Sequence, residues 1–404
     1  MKNFSTRIPH LGTENAFSVI SKAKKFEREE LEPKGQKLVY LQIGEPAFDT
    51  PENIKQAGIK AIQANQTHYT ASPGIPDFRK LIAEKYSARS CEPFTMDDVV
   101  VMPGAKPVMF HMINALIDAG DEVIIPNPGF PIYESVVNYL GGTSVPLPLL
   151  EEQDFNFLLS DLEKLITPKT KLIIINSPQN PTGGVLKREI LQGIAELAVK
   201  HDLWVLSDEI YDQILYEGEH TSITSFKGLP ARTVILNGCS KSYAMTGWRL
   251  GWAITKNRQM AQILEQLIIN DVSCTAAMVQ LAGMEALSGP QEAVGIMREE
   301  YRKRRDLLVS LVNEVPGFSC KVPKGAFYLF VNVKPILKAL GLNASELADK
   351  IMREAHVVIL PGTAFGVHGE GYIRFSYVSS EKDIMEGMRR MKEYIEKIYT
   401  PVAA

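Results

Sequence analysis

Runs of β-forming residues alternate with helical patterns over residues 95–255, and this alternation restricts the chain to few architectures. Apolar runs typical of strands occur at residues 99–102 and 171–177, and the second is followed by apolar residues at helical spacing over 186–198. Strands that alternate with helices in this way are typical of a parallel sheet covered by helices on both faces. We therefore predict an α/β fold whose large domain contains a mostly parallel sheet flanked by helices.

The length of the chain predicts a second, smaller domain, because 404 residues exceed what one hydrophobic core usually supports. An apolar helical pattern over 263–286 ends at a glycine-proline break, and a charged amphipathic helix over 292–312 follows it. We predict an N-terminal arm and part of the small domain at 1–45, a large domain at 46–290, and a small C-terminal domain at 291–404. The small domain is thus expected to be α+β and to contain both termini.

Composition argues against several classes of function. A formal net charge of -3 gives no reason to expect nucleic acid as a partner. The four cysteines are scattered and form no Cys-x-x-Cys pair, so we predict neither a disulfide framework nor a metal site. No apolar run approaches the ~18 residues of a membrane span, and the N-terminus has no apolar stretch of signal-peptide length. These features predict a cytoplasmic protein with no membrane partner.

Residues 237–251 contain one lysine and one arginine among small residues. The stretch reads Asn-Gly-Cys-Ser-Lys-Ser-Tyr-Ala-Met-Thr-Gly-Trp-Arg-Leu-Gly and follows a β-type run. A lysine amine with a lowered pKa, here Lys241, can form a Schiff base with a carbonyl. The planar fork of an arginine such as Arg249 can hold a phosphate with two parallel hydrogen bonds. An ordinary loop with a solvated lysine and arginine is the alternative, and the rest of the chain decides between them.

Further motifs follow other apolar runs. Gly-Ala-Lys at 104–106 precedes Pro107, which is expected to open an apolar helix, and a helix N-terminus binds anions. Three more apolar runs end in motifs of this kind, which are Asn-Pro-Gly-Phe at 127–130, Pro-Gln-Asn-Pro-Thr-Gly at 178–183 and Ser-Asp-Glu-Ile-Tyr at 207–211. Ligands of open α/β sheets bind at the carboxyl ends of the strands. Each motif alone also fits a plain turn or a core residue.

Together these motifs resemble those of the class I aminotransferases, which are fold type I enzymes that use pyridoxal 5′-phosphate (PLP), and among them the bacterial aspartate aminotransferase subgroup. The resemblance covers most of the chain. It implies transfer of an amino group between an L-amino acid and a 2-oxo acid by a ping-pong mechanism, PLP as the cofactor, and a homodimer with shared active sites. The alternatives are a PLP-dependent lyase catalysing β-elimination, an aspartate-specific aminotransferase, and a PLP-binding regulatory domain.

The resemblance also implies the cofactor contacts residue by residue. Lys241 would be linked covalently to the cofactor and would act as the general base. Asp208 would face the pyridine nitrogen, and Tyr211 would donate to the phenolic oxygen. Asn180 would bind the same oxygen, and Phe130 would stack on the ring. The residues expected at the cofactor phosphate are Gly104, Ala105, Lys106, Ser240, Arg249 and, from the other subunit, Tyr69.

The substrate would be held by Gly44, Asn180 and Arg374. Arg374 alternates with apolar residues in a β-type run, and a buried arginine requires an anionic partner. The resemblance makes that partner the α-carboxylate of the substrate, whereas the residues alone also allow an internal partner. Gly44 ends a short β-type run at 38–43, where a plain turn is the alternative.

Two departures from the family pattern bear on the phosphate and on the substrate. Gly238 stands where many relatives have a hydroxyl, which leaves Ser240 as a substitute phosphate contact. Lys106 matches a lysine that helps to bind the distal carboxylate in some aspartate aminotransferases. However, residues 14–17 lack the Ser-x-Thr pattern of those enzymes, and Glu14 would repel an acidic side chain. We predict a broad or neutral amino-acid preference, with glutamate or alanine as the shared donor.

Overall fold

The computed structural model describes residues 4–12 and 15–400, with side chains from residue 18 onward in the second range. The strands are β1 (Val39–Tyr40), β2 (Val99–Met102), β3 (Glu122–Asn127), β4 (Thr143–Pro148), β5 (Thr170–Asn176), β6 (Trp204–Asp208), β7 (Thr233–Gly238), β8 (Gly251–Ile254), β9 (Ser319–Cys320), β10 (Tyr328–Asn332), β11 (Val357–Val358), β12 (Leu360–Pro361) and β13 (Tyr372–Ser376). The α-helices are α1 (Asn15–Phe26), α2 (Glu52–Gln63), α3 (Pro76–Ser87), α4 (Ala105–Leu116), α5 (Ile132–Tyr139), α6 (Leu159–Leu165), α7 (Arg188–Lys200), α8 (Arg258–Asp271), α9 (Ala277–Ser288), α10 (Glu292–Asn313), α11 (Lys334–Leu340), α12 (Ala344–Lys350) and α13 (Glu381–Ile398).

A seven-stranded sheet with the order β2-β8-β7-β6-β5-β3-β4 forms the centre of the large domain. The strands from β7 to β4 pair in parallel, whereas β8 is antiparallel to both β7 and β2. The predicted α/β fold with a mostly parallel sheet is therefore confirmed. Because β2 and β7 are both antiparallel to β8, they run in the same direction as the other parallel strands. The carboxyl ends of β2, β3, β5, β6 and β7 consequently lie at one edge of the sheet.

Both faces of this sheet are buried, which explains the nearly continuous apolar runs in its strands. Val123 and Ile125 of β3 pack in one hydrophobic cluster together with residues of α4 and α8. Ile124, between them, points to the opposite face, where Leu191 and Ile194 of α7 pack in a second cluster. Side chains alternate between the faces of a strand, so helices cover the sheet on both sides.

The structure shows one strand that was not predicted and differs from two local predictions. Strand β8 was not predicted, because its four residues follow directly on the lysine motif and show no alternation. The single helix predicted over 263–286 is two helices, α8 and α9, and Ser273 between them has a left-handed φ of 63°. The apolar spacing continues across this break and hides it. Helix α4 begins at Ala105, so Pro107 is its third residue, where a missing N–H breaks no helical bond.

The smaller domain contains segments from both ends of the chain, as predicted. Strand β1 pairs in parallel with β11, so that Val39 lies opposite Val357. A four-stranded sheet with the order β12-β13-β10-β9 lies beside them. An ion pair of 2.5 Å between Lys22 and Asp349 connects α1 to α12. The boundaries at residues 45/46 and 290/291 stay a prediction. Across the described part of the chain, no helix combines the length and apolarity needed to cross a bilayer.

A buried ion pair holds the segment that follows β6. Glu209 Oε2 lies 2.9 Å from His220 Nε2, and the two side chains are 2% and 4% exposed. Glu209 Oε1 accepts hydrogen bonds from Ser207 and Ser222 at 2.9 and 2.7 Å. Burial alone would raise the pKa of Glu209 and lower that of His220. Their attraction and the hydroxyl donors outweigh burial, so the pKa of Glu209 lies below its usual value and that of His220 above it.

This pair stabilises the fold within a defined pH window. The raised pKa of His220 means that its contribution is complete below the ordinary histidine pKa, about 6.5, and is lost as the pH rises through the folded value. The lowered pKa of Glu209 means that its contribution is present above the ordinary glutamate value and is lost as the pH falls through the folded value. We therefore expect the largest contribution between about pH 4.5 and 6.5.

His220→Gln is expected to lower the free energy of unfolding by about 3 kcal/mol at pH 6, because it leaves Glu209 buried without its cation. The loss should become smaller as the pH rises through the raised folded pKa of His220, because the wild-type histidine then also gives up its proton. Thermal unfolding of both proteins over a series of pH values from 6 upward measures the difference. Lys200→Met is the control: it removes an exposed pair with Glu163 and should leave Tm nearly unchanged. A loss that stays the same after the wild-type histidine has titrated would contradict an ionised pair.

Candidate active site

A cavity of about 420 Å³ lies at the carboxyl edge of the large sheet. Most of the site residues predicted from the sequence line it. They are Gly44, Ala105, Lys106, Phe130, Asn180, Asp208, Tyr211, Ser240, Lys241, Arg249 and Arg374. Gly104 lies directly behind the cavity wall, against Arg249. Tyr69 does not line the cavity of its own chain, and its side chain is 88% exposed.

Lys241 lies in the turn after β7, and its position depends on the segment that follows β1. Lys241 Nζ donates a hydrogen bond of 2.7 Å to the backbone oxygen of Gly44. Thr50 Oγ1 donates to the oxygen of Ala244 at 2.6 Å, and Trp248 Nε1 donates to Thr50 Oγ1 at 3.0 Å. These bonds join the lysine turn to residues almost 200 positions earlier in the chain. They fix the lysine amine at the cavity wall.

Asp208 is the last residue of β6, and its carboxylate is buried. Oδ2 accepts a hydrogen bond of 2.6 Å from the hydroxyl of Tyr133, and Oδ1 accepts one of 3.2 Å from the backbone N–H of Ile210. Burial raises the pKa of Asp208 to about 6, and the two donors act in the opposite direction. At neutral pH the Asp208 carboxylate is therefore mostly ionised. It can stabilise a positively charged N–H group of a ligand.

Tyr211 is buried and belongs to a pair of tyrosines. Its hydroxyl lies 2.9 Å from the hydroxyl of Tyr328, and the two rings meet edge to face. Burial raises the pKa of Tyr211 well above its usual value. The hydroxyl therefore keeps its proton at neutral pH and can donate it to an acceptor in the cavity.

Arg374, in β13, is only 3% exposed and is held by hydrogen bonds and by aromatic rings. Nη1 donates to Asn180 Oδ1 at 2.8 Å, and Nη2 donates to the backbone oxygen of Gln42 at 2.7 Å. The guanidinium carbon lies 4.3 Å from the ring centroid of Tyr328 and 4.7 Å from that of Phe365. These two acceptor oxygens are uncharged and orient the guanidinium. A planar guanidinium held in this way can offer its fork of donors to a carboxylate ligand.

Cationic and backbone donors meet at the part of the cavity where α4 begins. Gly104 precedes the helix with a φ of 102°, and Arg249 has a left-handed φ of 58°. A Cβ on Gly104 would overlap the Arg249 guanidinium, and one on Gly251 would lie 2.6 Å from the backbone nitrogen of Ala105. The glycines therefore allow Arg249 to approach the helix N-terminus, and together these groups form a site for an anion.

Gly238, the predicted departure from the family pattern, lies in the pairing of β7 with β8. It is opposite Gly251, and a Cβ on Gly238 would lie 2.6 Å from the backbone oxygen of Leu250. A side chain at this position would force the two strands apart. Ser240 lines the cavity, whereas Gly238 does not.

Lys106 and Phe130 lie near each other on the cavity wall, with the Lys106 Nζ 5.3 Å from the ring centroid of Phe130. The Phe130 ring in turn contacts Tyr133 edge to face, at a centroid distance of 5.6 Å. Glu14, which was expected to repel an acidic side chain of the substrate, lies outside the described residues. The side chains of residues 15–17 lie outside them as well.

Several cavity residues were not predicted from the sequence. They are Ile20, Gln42, Ile43, Glu45, Met109, Tyr133, Asn176, Ile210, Leu236, Thr246 and Tyr328. Tyr133 follows Phe130 by three residues, but Phe130 precedes helix α5, so helical spacing gives no signal for Tyr133. Tyr328 stands in an apolar strand that looks like core, and nothing in its local sequence distinguishes it.

The donors and acceptors of the cavity fit PLP. An anion site at α4 and Arg249 suits a phosphate, and the buried Asp208 carboxylate suits a protonated ring nitrogen. Tyr211 offers a donor for a phenolic oxygen, and Lys241 offers a primary amine. Arg374 offers a guanidinium that suits a carboxylate. One cavity thus provides each of the separate contacts that this cofactor and an amino acid require.

Comparisons with known proteins agree with this arrangement. Residues 36–391 match the family described as aminotransferase class I and II. The probable aspartate/prephenate aminotransferase of Aquifex aeolicus is 36% identical over 401 residues, which cover 98% of this chain and 100% of that protein. The arginine–pyruvate transaminase of Pseudomonas aeruginosa is 37% identical over 357 residues, which cover 88% of this chain and 90% of that protein.

Solved structures give the same result. A single mutant of the Thermus thermophilus aspartate aminotransferase has a TM-score of 0.90 at 34% identity, covering 97% of this chain and 100% of that one. The aromatic aminotransferase of Pyrococcus horikoshii has a TM-score of 0.85 at 37% identity, covering 89% of this chain and 96% of that one. These findings favour transamination over the lyase alternative, and enzymes of this family are PLP-dependent. The chain therefore belongs to the class I and II aminotransferase family and is an aminotransferase of fold type I.

Proposed function

We propose that this aminotransferase binds PLP through Lys241, accepts a broad or neutral range of amino acids with glutamate or alanine as the shared donor, and acts as a homodimer. The observation that carries the proposal is the convergence of Lys241, Asp208, Arg249 and Arg374 on one cavity. These residues are far apart in the sequence, and an ordinary core has no reason to gather three cations and a carboxylate around one space. The cytoplasmic location stays a prediction from the cysteine pattern.

At the reacting end, the proposed roles follow from the hydrogen bonds of each group. PLP, when bound, supplies a ring that withdraws electrons from the substrate α-carbon. Asp208 would hold a proton on the ring nitrogen, because its carboxylate is itself held by Tyr133. Tyr211 would donate its hydroxyl proton to the phenolic oxygen. Lys241 Nζ would take the α-proton of the substrate as general base.

At the binding end, Arg374 would hold the α-carboxylate of the substrate. Its two terminal nitrogens are directed by Asn180 and by the Gln42 backbone oxygen, which restricts the orientation of the planar fork. Gly44 would bring its backbone close to the same carboxylate, and Asn180 would bridge substrate and cofactor. Arg249, Ser240 and the first turn of α4, with Gly104, Ala105 and Lys106, would bind the phosphate.

Lys241→Ala is expected to remove the covalent link to PLP and to lower kcat by at least about 10³-fold, because no other side chain would take the α-proton. Borohydride reduction of the wild-type enzyme followed by peptide mass spectrometry should place the pyridoxyl group on the peptide that contains Lys241. Lys164→Ala, at an exposed lysine, is the control and should keep both the label and the activity. Labelling of any other lysine would refute the assignment.

The exposure of Tyr69 supports a site shared between two copies of the chain. If Tyr69 serves the phosphate of the other subunit, a heterodimer of Tyr69→Phe and Lys241→Ala chains contains one fully wild-type site. Two impaired homodimers should then regain, on mixing and subunit exchange, about half of the wild-type activity per heterodimer. Activity after exchange, together with the mass of the complex, measures this. No recovery in a verified heterodimer would mean that Tyr69 acts within its own chain.

The aspartate-specific alternative depends on Lys106. A probable aspartate/prephenate aminotransferase and an arginine–pyruvate transaminase have similar sequence identity to this chain. Sequence identity therefore does not indicate which amino acid is the substrate. Apolar side chains of Ile20, Met109 and Phe130 also line the cavity, which supports a neutral preference. Lys106 would then mainly add positive potential near the phosphate.

Lys106→Ser is accordingly expected to change kcat/KM for aspartate by no more than it changes kcat/KM for alanine or an aromatic amino acid. The reason is that a cation devoted to the phosphate acts on every substrate alike. Single-turnover conversion of bound PLP with each amino acid gives the rates, and release of ammonia is followed in parallel to detect β-elimination. A selective loss with aspartate would support the aspartate-specific alternative instead.

A further inference from the structure

We propose that Tyr328 is a positioning residue with two separable tasks in this reaction. Its ring fixes the guanidinium of Arg374, and its hydroxyl fixes the hydroxyl of Tyr211. The proposal rests on the proposed function, in which Arg374 binds the substrate carboxylate and Tyr211 donates to the cofactor. It explains why a tyrosine, rather than an aliphatic residue, occupies this position at the start of β10.

The first task follows from the register of the small sheet. Arg374 of β13 lies opposite Phe330 of β10, which makes Tyr328 its diagonal neighbour on the same face. The guanidinium carbon lies 4.3 Å from the Tyr328 centroid, with Phe365 at 4.7 Å. A guanidinium over an aromatic face is attracted by the ring quadrupole, and the attraction is larger where water is excluded. The ring thus restrains the cation without neutralising its charge.

The second task follows from the hydroxyl of the same side chain. It lies 2.9 Å from the Tyr211 hydroxyl, and either oxygen can be the donor. Only one direction is compatible with the proposed reaction. If Tyr211 gives its proton to the cofactor, its oxygen must accept from Tyr328. Hydrogen bonds in such a chain strengthen one another, so donation by Tyr328 makes Tyr211 a better donor.

The hydroxyl also explains why a glycine stands beside it in the cavity wall. A Cβ on Gly44 would lie 2.8 Å from the hydroxyl oxygen of Tyr328, closer than a carbon and an oxygen normally approach. Gly44 is the residue whose backbone oxygen accepts from Lys241 Nζ. Tyr328 therefore contacts the surroundings of the lysine, the phenolic-oxygen donor and the carboxylate-binding arginine.

Two substitutions separate the tasks. Tyr328→Phe keeps the ring and removes the hydroxyl, whereas Tyr328→Leu removes both. For Tyr328→Phe we expect a lower kcat, an almost unchanged dissociation constant for 2-methylalanine, and a rise of roughly half a unit or more in the pH midpoint of the absorbance change of bound PLP. The midpoint rises because weaker donation by Tyr211 leaves the phenolic oxygen more negative, and that oxygen then holds the proton on Lys241 Nζ more tightly.

For Tyr328→Leu we expect, in addition, a roughly five- to thirtyfold weaker binding of 2-methylalanine, because Arg374 loses one of its two aromatic faces. 2-Methylalanine has no α-proton, so its binding to the holoenzyme is measured without turnover. Phe365→Leu removes the other aromatic face and should weaken this binding without moving the absorbance midpoint. It also tests the first task if Tyr328→Leu folds poorly.

Tyr377→Phe is the matched control, because it removes a buried hydroxyl that donates to Ala326 at 3.2 Å outside the cavity. It should leave both the midpoint and the binding unchanged. The inference is wrong if Tyr328→Phe weakens 2-methylalanine binding as much as Tyr328→Leu does, or if Tyr328→Phe leaves the midpoint where Tyr377→Phe leaves it. Failure of the wild-type holoenzyme to transaminate alanine or glutamate would instead refute the proposed function, and the two failures are therefore distinguishable.

Discussion

The common direction of β2, β3, β5, β6 and β7 is the constraint on which the rest of the site depends. Parallel strands bring the loops at their carboxyl ends to one edge of the sheet, and each of these five strands leads into a cavity residue or its immediate support. Strand β8 of this sheet runs in the opposite direction between β2 and β7. Arg249, which precedes β8, therefore lies beside Gly104 at the start of α4.

Neutral groups hold the charged side chains of Asp208 and Arg374 in the cavity. The Asp208 carboxylate is buried beside Tyr133, a backbone N–H completes its shell, and its pKa of about 6 leaves it ready for a cationic partner. The contacts of Arg374 include two amide oxygens and two aromatic rings, which orient the guanidinium. These neutral contacts orient the two side chains without themselves adding an opposite charge. Under the proposed function, Arg374 would bind the carboxylate of the substrate and Arg249 the phosphate of the cofactor.

The N-terminal segment is part of the site and not only an addition to the smaller domain. The backbone oxygens of Gln42 and Gly44 accept hydrogen bonds from Arg374 and Lys241, and Thr50 contacts the turn that carries the lysine. Strand β1, which leads into this segment, also pairs with β11 of the smaller domain. The geometry of the large domain's lysine therefore depends on residues that the smaller domain shares.

The sequence by itself determined the mostly parallel sheet, because the sheet depends on local patterns of apolar residues. It also determined the positions of the main motifs, because these are short runs of glycine, proline and charged residues. The resemblance of these motifs indicated the family. It did not determine β8 or the break at Ser273, since a strand of four residues carries no periodicity and apolar spacing continues across the break. It also missed Tyr133 and Tyr328, whose contacts with Asp208, Tyr211 and Arg374 join residues 46 to 117 positions apart. Only the tertiary structure decides such contacts, because folding brings together side chains whose own neighbours in sequence look like ordinary core.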